Sequence, residues 1–299
     1  MKIFGISMVR NEVDIVGLTG LHHLSLGLDK ILVLDNGSTD STDEVLRQLA
    51  EEDDRVWWTR DDSPFDQAAI MTELAREAYR QGADWVVPFD ADEFWWTKDG
   101  LFRKVLADSQ DGSLGARVVN FVQARSQHES TPEALLTMTR RVLEPFPVGL
   151  LFDDLFRAHR IAFVQREGVR KRIFRPTPEV EVKRGNHKVL NVRGAPARCE
   201  QIVCLHAPLR SRAQLQSRAE RHHRLEEAGI STSDNKSLYW ADIIERGLLE
   251  KEWAANSYEG EHQDVYGEHH PVAFDPRLRN IVAPLIDRIS LVGPRSPSG

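Results

Sequence analysis

Three acidic side chains fall within four positions at Asp90, Asp92 and Glu93, directly after the apolar run Trp85-Val86-Val87-Pro88-Phe89. Two aspartates one residue apart project to the same side of an extended chain. Such a pair can hold a hard divalent cation, Mg²⁺ or Mn²⁺, through oxygen while leaving positions open for phosphate. An isolated Asp-x-Asp is explained equally well as a solvated acidic turn. Here it has company. Arg10-Asn11-Glu12 and the stretch from Asp35 to Asp43 (Asp-Asn-Gly-Ser-Thr-Asp-Ser-Thr-Asp) each follow a short apolar run, and His206 follows another at Gln201 to Leu205.

The elements that must position these groups follow from periodicity. Lys2 to Val9, Lys30 to Leu34, Arg55 to Thr59 and the run ending at Phe89 have the apolar, β-branched character of strands buried on both faces. Between them Val13, Val16, Leu21, Leu24 and Leu28 recur at helical spacing, Glu44 to Glu51 follows a loop rich in capping residues, and Gln67 to Gln81 carries Met71, Leu74, Ala75, Ala78 and Tyr79 on one face. Alternating β and α elements predict an α/β fold with a mainly parallel, Rossmann-like sheet flanked by helices. The polar loops then share the carboxyl edge of the sheet, where open α/β sheets bind ligands.

Composition narrows the function. The chain has 299 residues, 41 % hydrophobic and 28 % charged, enough to bury a proper core. A net charge of −7 argues against nucleic acid or an anionic membrane as a partner. The two cysteines, Cys199 and Cys204, form no Cys-x-x-Cys pair, which argues against zinc or a disulfide framework. The amino terminus lacks signal-peptide character and no stretch has the length of a membrane span, so a cytoplasmic location is expected. Neither Gly-x-x-x-x-Gly-Lys-Ser/Thr nor Gly-x-Gly-x-x-Gly occurs. Phosphates bound here would be balanced by a metal, helped by Arg10 or later cations.

Met8-Val9-Arg10-Asn11-Glu12, Val33 to Thr42, and Phe89-Asp90-Ala91-Asp92-Glu93-Phe94 together resemble, in order and spacing, the signatures of family-2-like glycosyltransferases of the GT-A fold, with the Asp-x-Asp-Glu-Phe subgroup most similar. The resemblance covers about the first third of the chain. It implies that Arg10, Asn11, Glu12, Asp35, Asn36, Asp90 and Ala91 meet the nucleotide, and that Asp90 and Asp92 serve the metal bridging its diphosphate. It brings Glu93 towards the donor sugar. The later pattern, a Lys/Arg run at Val169 to Pro176, then Gly185-Asn186-His187, then His206-Ala207-Pro208-Leu209-Arg210-Ser211, resembles the second half of the same subgroup and implies that His206 completes the metal shell. Lys171 and Arg210 are candidate diphosphate partners, though a charged face explains them equally well.

The expected activity is a metal-dependent transfer of a sugar from a nucleotide-sugar, a UDP-sugar, to an acceptor hydroxyl with inversion. The acceptor is left open among glycan, lipid-linked and small-molecule classes, as is the oligomeric state. Glu93 and His187 lead the candidates for the catalytic acid/base role, with Glu129, Asp153 and Glu181 behind them; Asp153-Asp154 fits a helix whose carboxylates face water. Residues 1–211 are expected to form a GT-A-like catalytic domain, with 1–97 its nucleotide-sugar half and 98–211 its acceptor half. Residues 212–299, with helices over Ala213 to Ala228 and Ser237 to Trp253, are expected to form a helical extension with a frayed tail. Two alternatives use the same parts. A nucleotidyltransferase would need a Gly-rich basic loop after the first strand, and Arg10-Asn11-Glu12 has no glycine. A non-catalytic nucleotide- or sugar-binding module would bind without turnover.

Overall fold

The computed structural model describes residues 1–100, 102–147, 152–229 and 235–292. Leu101, residues 150–151, the tail from Pro294 and the side chain of Asp153 lie outside the described residues. The chain divides into two compact units: residues 1–118, 169–206 and 281–299 form the first, and 119–168 with 207–280 form the second.

The first unit opens with β1 (Ile3–Val9), α1 (Val16–Ser25), β2 (Lys30–Asp35), α2 (Thr42–Glu52), β3 (Val56–Arg60), α3 (Gln67–Arg80) and β4 (Trp85–Pro88). These strands pair in parallel in the order β4-β1-β2-β3. Ile3, Ile6, Ile31, Leu32, Val86 and Val87 are buried, as the apolar runs require of a sheet covered on both faces. α3 starts where the Asp66 carboxylate accepts the Ala69 N–H at 3.1 Å, buries Met71, Leu74, Ala75 and Ala78, and ends before Gly82 at φ +85. Gly5 sits mid-strand where a Cβ would lie 2.8 Å from Leu28 Cδ2 and 2.9 Å from Phe89 Cε1. Only glycine lets β1 approach those two side chains. The register sets Val9 beside Asp35 and Asp35 beside Arg60, so the polar strand ends share one edge.

After a turn at Ala91-Asp92 the chain resumes as β5 (Glu93–Thr97), then α4 (Phe102–Asp108) and β6 (Ser113–Ala124). It passes through β7 (Arg140–Val142) and α5 (Phe152–Arg157) of the second unit and returns with β8 (Lys171–Phe174), the hairpin β9 (Glu181–Val182) and β10 (Val189–Leu190), and β11 (Pro196–His206). β8 inserts antiparallel between β4 and the start of β6, and β11 pairs antiparallel with β5. The expected α/β architecture is present, and its sheet is mixed: a parallel centre extended by antiparallel strands.

The second unit contains α6 (Arg212–Glu227), α7 (Asn235–Glu245), α8 (Leu249–Asn256), the strands β12 (Ser257–Glu259), β13 (His262–Val265) and β14 (Glu268–Phe274), and the start of α9 (Arg277–Val292), whose remainder belongs to the first unit. Its core includes Val122, Phe163, Leu215, Tyr239, Trp240 and Trp253. At its centre the fully buried Glu252 accepts hydrogen bonds from His159 Nδ1 (2.6 Å), Tyr266 (2.8 Å), Asn256 (3.3 Å) and the Tyr239 hydroxyl. A cut at residue 211 follows neither unit, because this core joins residues on both sides of it. The helix expected over Ser237 to Trp253 is two helices, broken where Gly247 takes φ +63. Strands β12 to β14 stand where only helix was expected.

Candidate active site

The two loops at the ends of β1 and β2 are joined by short polar contacts. Asp35, fully buried, accepts the Ser38 N–H at 3.0 Å and the Ser38 hydroxyl on Oδ1. Ser38 Oγ in turn accepts the Asn11 N–H at 2.9 Å, and Asn11 Oδ1 accepts the Thr39 N–H at 2.7 Å. Glu12 N–H donates to Thr42 Oγ1 at 2.8 Å. Asn11 sits at φ +55, a conformation that asparagine tolerates better than most residues. Asn36 donates its amide to the carbonyls of Asp61 (3.1 Å) and Ser63 (3.0 Å), which ties in the loop after β3. Arg60 Nη1 stands 3.5 Å from Asp35 Oδ2. Arg10 is exposed beside this frame.

The acidic turn is fixed from below. His23 stacks on Phe89 with ring centroids 4.0 Å apart, and the ring of His22 bonds the Trp95 carbonyl at 2.7 Å. Burial holds both histidines below the ordinary imidazole range, His22 at about 4, so both are neutral at physiological pH. Thr19 Oγ donates to the Ala91 carbonyl.

The three acids then take different partners. Asp90 accepts Lys171 Nζ at 2.7 Å on one oxygen, and Gln67 Nε2 (3.3 Å) and Asn186 Nδ2 (3.2 Å) on the other. Glu93, 1 % exposed, meets Lys171 Nζ at 2.7 Å through Oε1 and accepts the Asp90 N–H at 3.1 Å through Oε2. Asp92 Oδ2 lies 3.4 Å from His206 Nε2, and both side chains are partly exposed. Burial pushes the Glu93 carboxyl up to about 7, with Lys171 and His206 opposing that rise and Asp90 and Asp92 adding to it. Burial opposes the charge on Lys171, but Asp90 and Glu93 overcome it and hold the ammonium protonated well above its ordinary value.

The predicted residues of the first unit fall into two groups. Asp35, Asn36, Asn11 and Glu12 belong to the joined loops, and Asp90, Ala91, Asp92, Glu93 and His206 to the acidic pole. His187 follows Asn186 in a turn with Gly185 at φ +78 and Asn186 at φ +60, and Gly185 N–H donates to Gln67 Oε1 at 3.0 Å. The His187 ring folds against Gly185, where a Cβ would meet its Nε2 at 2.9 Å. Glu181 is half-buried and bonded to Lys183. Glu129 is exposed and belongs to the second unit. Two residues were missed. Gln67 and Asn186 both donate to Asp90, and nothing in their local sequence marks them. Lys171 was marked as a candidate diphosphate partner, and its contacts with Asp90 and Glu93 were not foreseen.

Among the described residues no three His, Cys, Asp or Glu side chains converge as a set of metal ligands. The donor set does fit a two-ligand position. Two donors on one octahedral ion at about 2.1 Å stand about 3 Å apart, close to the Asp92–His206 separation of 3.4 Å. A carboxylate beside an imidazole suits Mn²⁺.

No curated protein sequence matches the chain. Among solved structures it is similar to Staphylococcus aureus TarS residues 1–349, at 13 % identity over 83 % of this chain and 72 % of that one, TM-score 0.40. It is also similar to the mannosyltransferase PcManGT from Pyrobaculum calidifontis, solved with GDP-Man and Mn²⁺, at 16 % identity over 98 % and 76 %, TM-score 0.40. No described helix is long and apolar enough to cross a membrane. The family described as Glycosyl transferase family 2 matches residues 17–167, from α1 through both strand-end loops that carry Asp35 and the acidic turn. The chain belongs to that family and is a glycosyltransferase.

Proposed function

We propose that the chain transfers a sugar from a UDP-sugar to an acceptor hydroxyl with inversion, using a divalent cation. The observation that carries this reading is the placing, on one sheet edge of one compact unit, of the Asp35 loop and the Asp92–His206 pair. The Asp35 loop receives the nucleoside. Asp35, fully buried, braces that loop through Ser38, and the half-exposed Arg60 stands beside it as a donor. Asp92 and His206 would hold Mn²⁺ or Mg²⁺. The cation would neutralise charge on the departing diphosphate.

The acceptor oxygen bonds to the anomeric carbon as the bond from that carbon to the diphosphate oxygen breaks. The proton of the acceptor hydroxyl passes to a base, the role we give to His187. Its turn is fastened to the acidic pole through Asn186 and Asp90. Asp90 and Glu93 have their oxygens engaged by protein donors, which disfavours either as a covalent nucleophile and supports single displacement with inversion. Glu93 enters through Lys171 rather than as the base. The acceptor belongs to the glycan, lipid-linked or small-molecule hydroxyls.

The test is UDP release from a panel of UDP-sugars in Mn²⁺. The wild type turns over at least one donor, and Asp92→Ala or excess chelator abolishes turnover. Full activity in chelator would overturn the metal assignment.

A further inference from the structure

We propose that Lys171 is a positioning residue for this reaction: its ammonium is a built-in cation that fixes Asp90 and Glu93, leaving Asp92 with His206 as the pair that meets a divalent ion. The inference rests on the reading of the acidic turn as the donor's diphosphate pole.

Topology brings Lys171 to this place. β8 runs antiparallel to β4 with Phe174 opposite Val86, so its first residue reaches the carboxyl edge of the parallel strands, beside Phe89 and just before Asp90. The side chain is 5 % exposed and its nitrogen lies 2.7 Å from each of Asp90 and Glu93. The second oxygen of each carboxylate is occupied as well, by Gln67 and Asn186 for Asp90 and by the Asp90 N–H for Glu93. Glu93, 1 % exposed, is a carboxylate out of water and needs a cation or a proton, and the half-buried Asp90 shares the cation that serves it. Lysine supplies that cation permanently, at a point where an Asp-x-Asp alone would suggest a metal. Asp90 also carries Asn186, so the same ammonium sets the position of the turn bearing His187. Lys171 thereby links the diphosphate pole to the base.

The experiment compares wild type, Lys171→Met and the double variant Lys171→Met/Glu93→Gln. Thermal unfolding is followed first in chelator and then in Mn²⁺, with UDP affinity and kcat measured at saturating Mn²⁺. Methionine is close to lysine in shape, so packing alone would change little. The expected result is that Lys171→Met loses several degrees of Tm in chelator and gains more from Mn²⁺ than wild type does, because the ion takes the ammonium's place. Adding Glu93→Gln restores Tm in chelator and removes the extra Mn²⁺ response. At saturating Mn²⁺ and donor, kcat of the single variant falls about a hundredfold through misplacement of the turn.

A Lys171→Met protein with wild-type Tm and wild-type Mn²⁺ response overturns the proposal. So does failure of both variants to fold, since the double variant restores the wild-type net charge of the cluster and keeps the shape. If only the double variant folds, charge balance is upheld. A wild type that binds neither Mn²⁺ nor UDP removes the donor-site reading instead, and the comparison in chelator still decides the role of Lys171.

Discussion

Replacing Glu93 by glutamine removes a carboxyl that burial raises from an ordinary 4.5 to about 7 despite Lys171 at 2.7 Å. Because the folded-state value lies above the unfolded one, the native protein binds more protons than the unfolded chain between those two values. The group's contribution to stability is therefore complete below about pH 4.5 and is lost as pH rises through about 7. At 1.36 kcal/mol for each step of one in pKa, the rise is worth about 3 kcal/mol. Glu93 is 1 % exposed, so solvent screening takes little from that figure. Glutamine keeps the shape and cannot ionise. The stability difference between Glu93→Gln and wild type should accordingly move in the variant's favour by about 3 kcal/mol from pH 4.5 to pH 8. Urea unfolding at a series of pH values measures it, and only the slope of the difference matters, because glutamine also changes the contact with Lys171. A flat difference would refute the claim that burial dominates at Glu93. A difference of opposite slope would show that the lysine wins and holds the carboxyl below its ordinary value.

Gly5→Ala puts a methyl group into contacts of 2.8 and 2.9 Å with Leu28 and Phe89, and overpacking of this kind costs about 1–3 kcal/mol. Because Phe89 precedes Asp90, the variant should also lose turnover, and a denaturation curve beside a rate assay checks both. In the second unit, Glu252→Leu strands the donors of His159 and Tyr239 in the core and removes the acceptor of the half-buried Tyr266 hydroxyl. Chemical denaturation should show a loss of about 3–5 kcal/mol.

The run from β1 to β4 was legible because its signals are local. Apolar runs such as Lys30 to Leu34, the helical spacing of Met71, Leu74, Ala75 and Ala78, and the turn formers after Asp35 each specify an element with little outside help. The alternation in Val180-Glu181-Val182 and in Lys188 to Val192, around Gly185-Asn186-His187, is an equally local signal for a hairpin, which forms as β9 and β10. Strands β12 to β14 were not. Their segment is rich in His, Glu and Asp, and its burial comes from Gln263, Val265 and Val272 against a core assembled from distant residues. The Tyr266-Gly267 turn, with both residues at positive φ, was the available signal for a hairpin there. At the site, sequence located the carboxylates but not their division of labour. Lys171 stood out only as a candidate diphosphate partner; it is 81 positions from Asp90, and no local signal pairs the two. Asn186 lay hidden beside the more conspicuous His187, although it is the asparagine that touches Asp90.

Calorimetry of UDP binding to wild type, Asp92→Asn and Asp35→Asn, each with and without Mn²⁺, tests the composite donor site most directly. Wild-type affinity should rise at least tenfold with Mn²⁺, about 1.4 kcal/mol. Asp92→Asn should keep the metal-free affinity and lose the rise, while Asp35→Asn should weaken binding in both conditions. UDP binding that is indifferent to Mn²⁺ in the wild type, or that keeps its full Mn²⁺ response without the Asp92 carboxylate, would contradict the account.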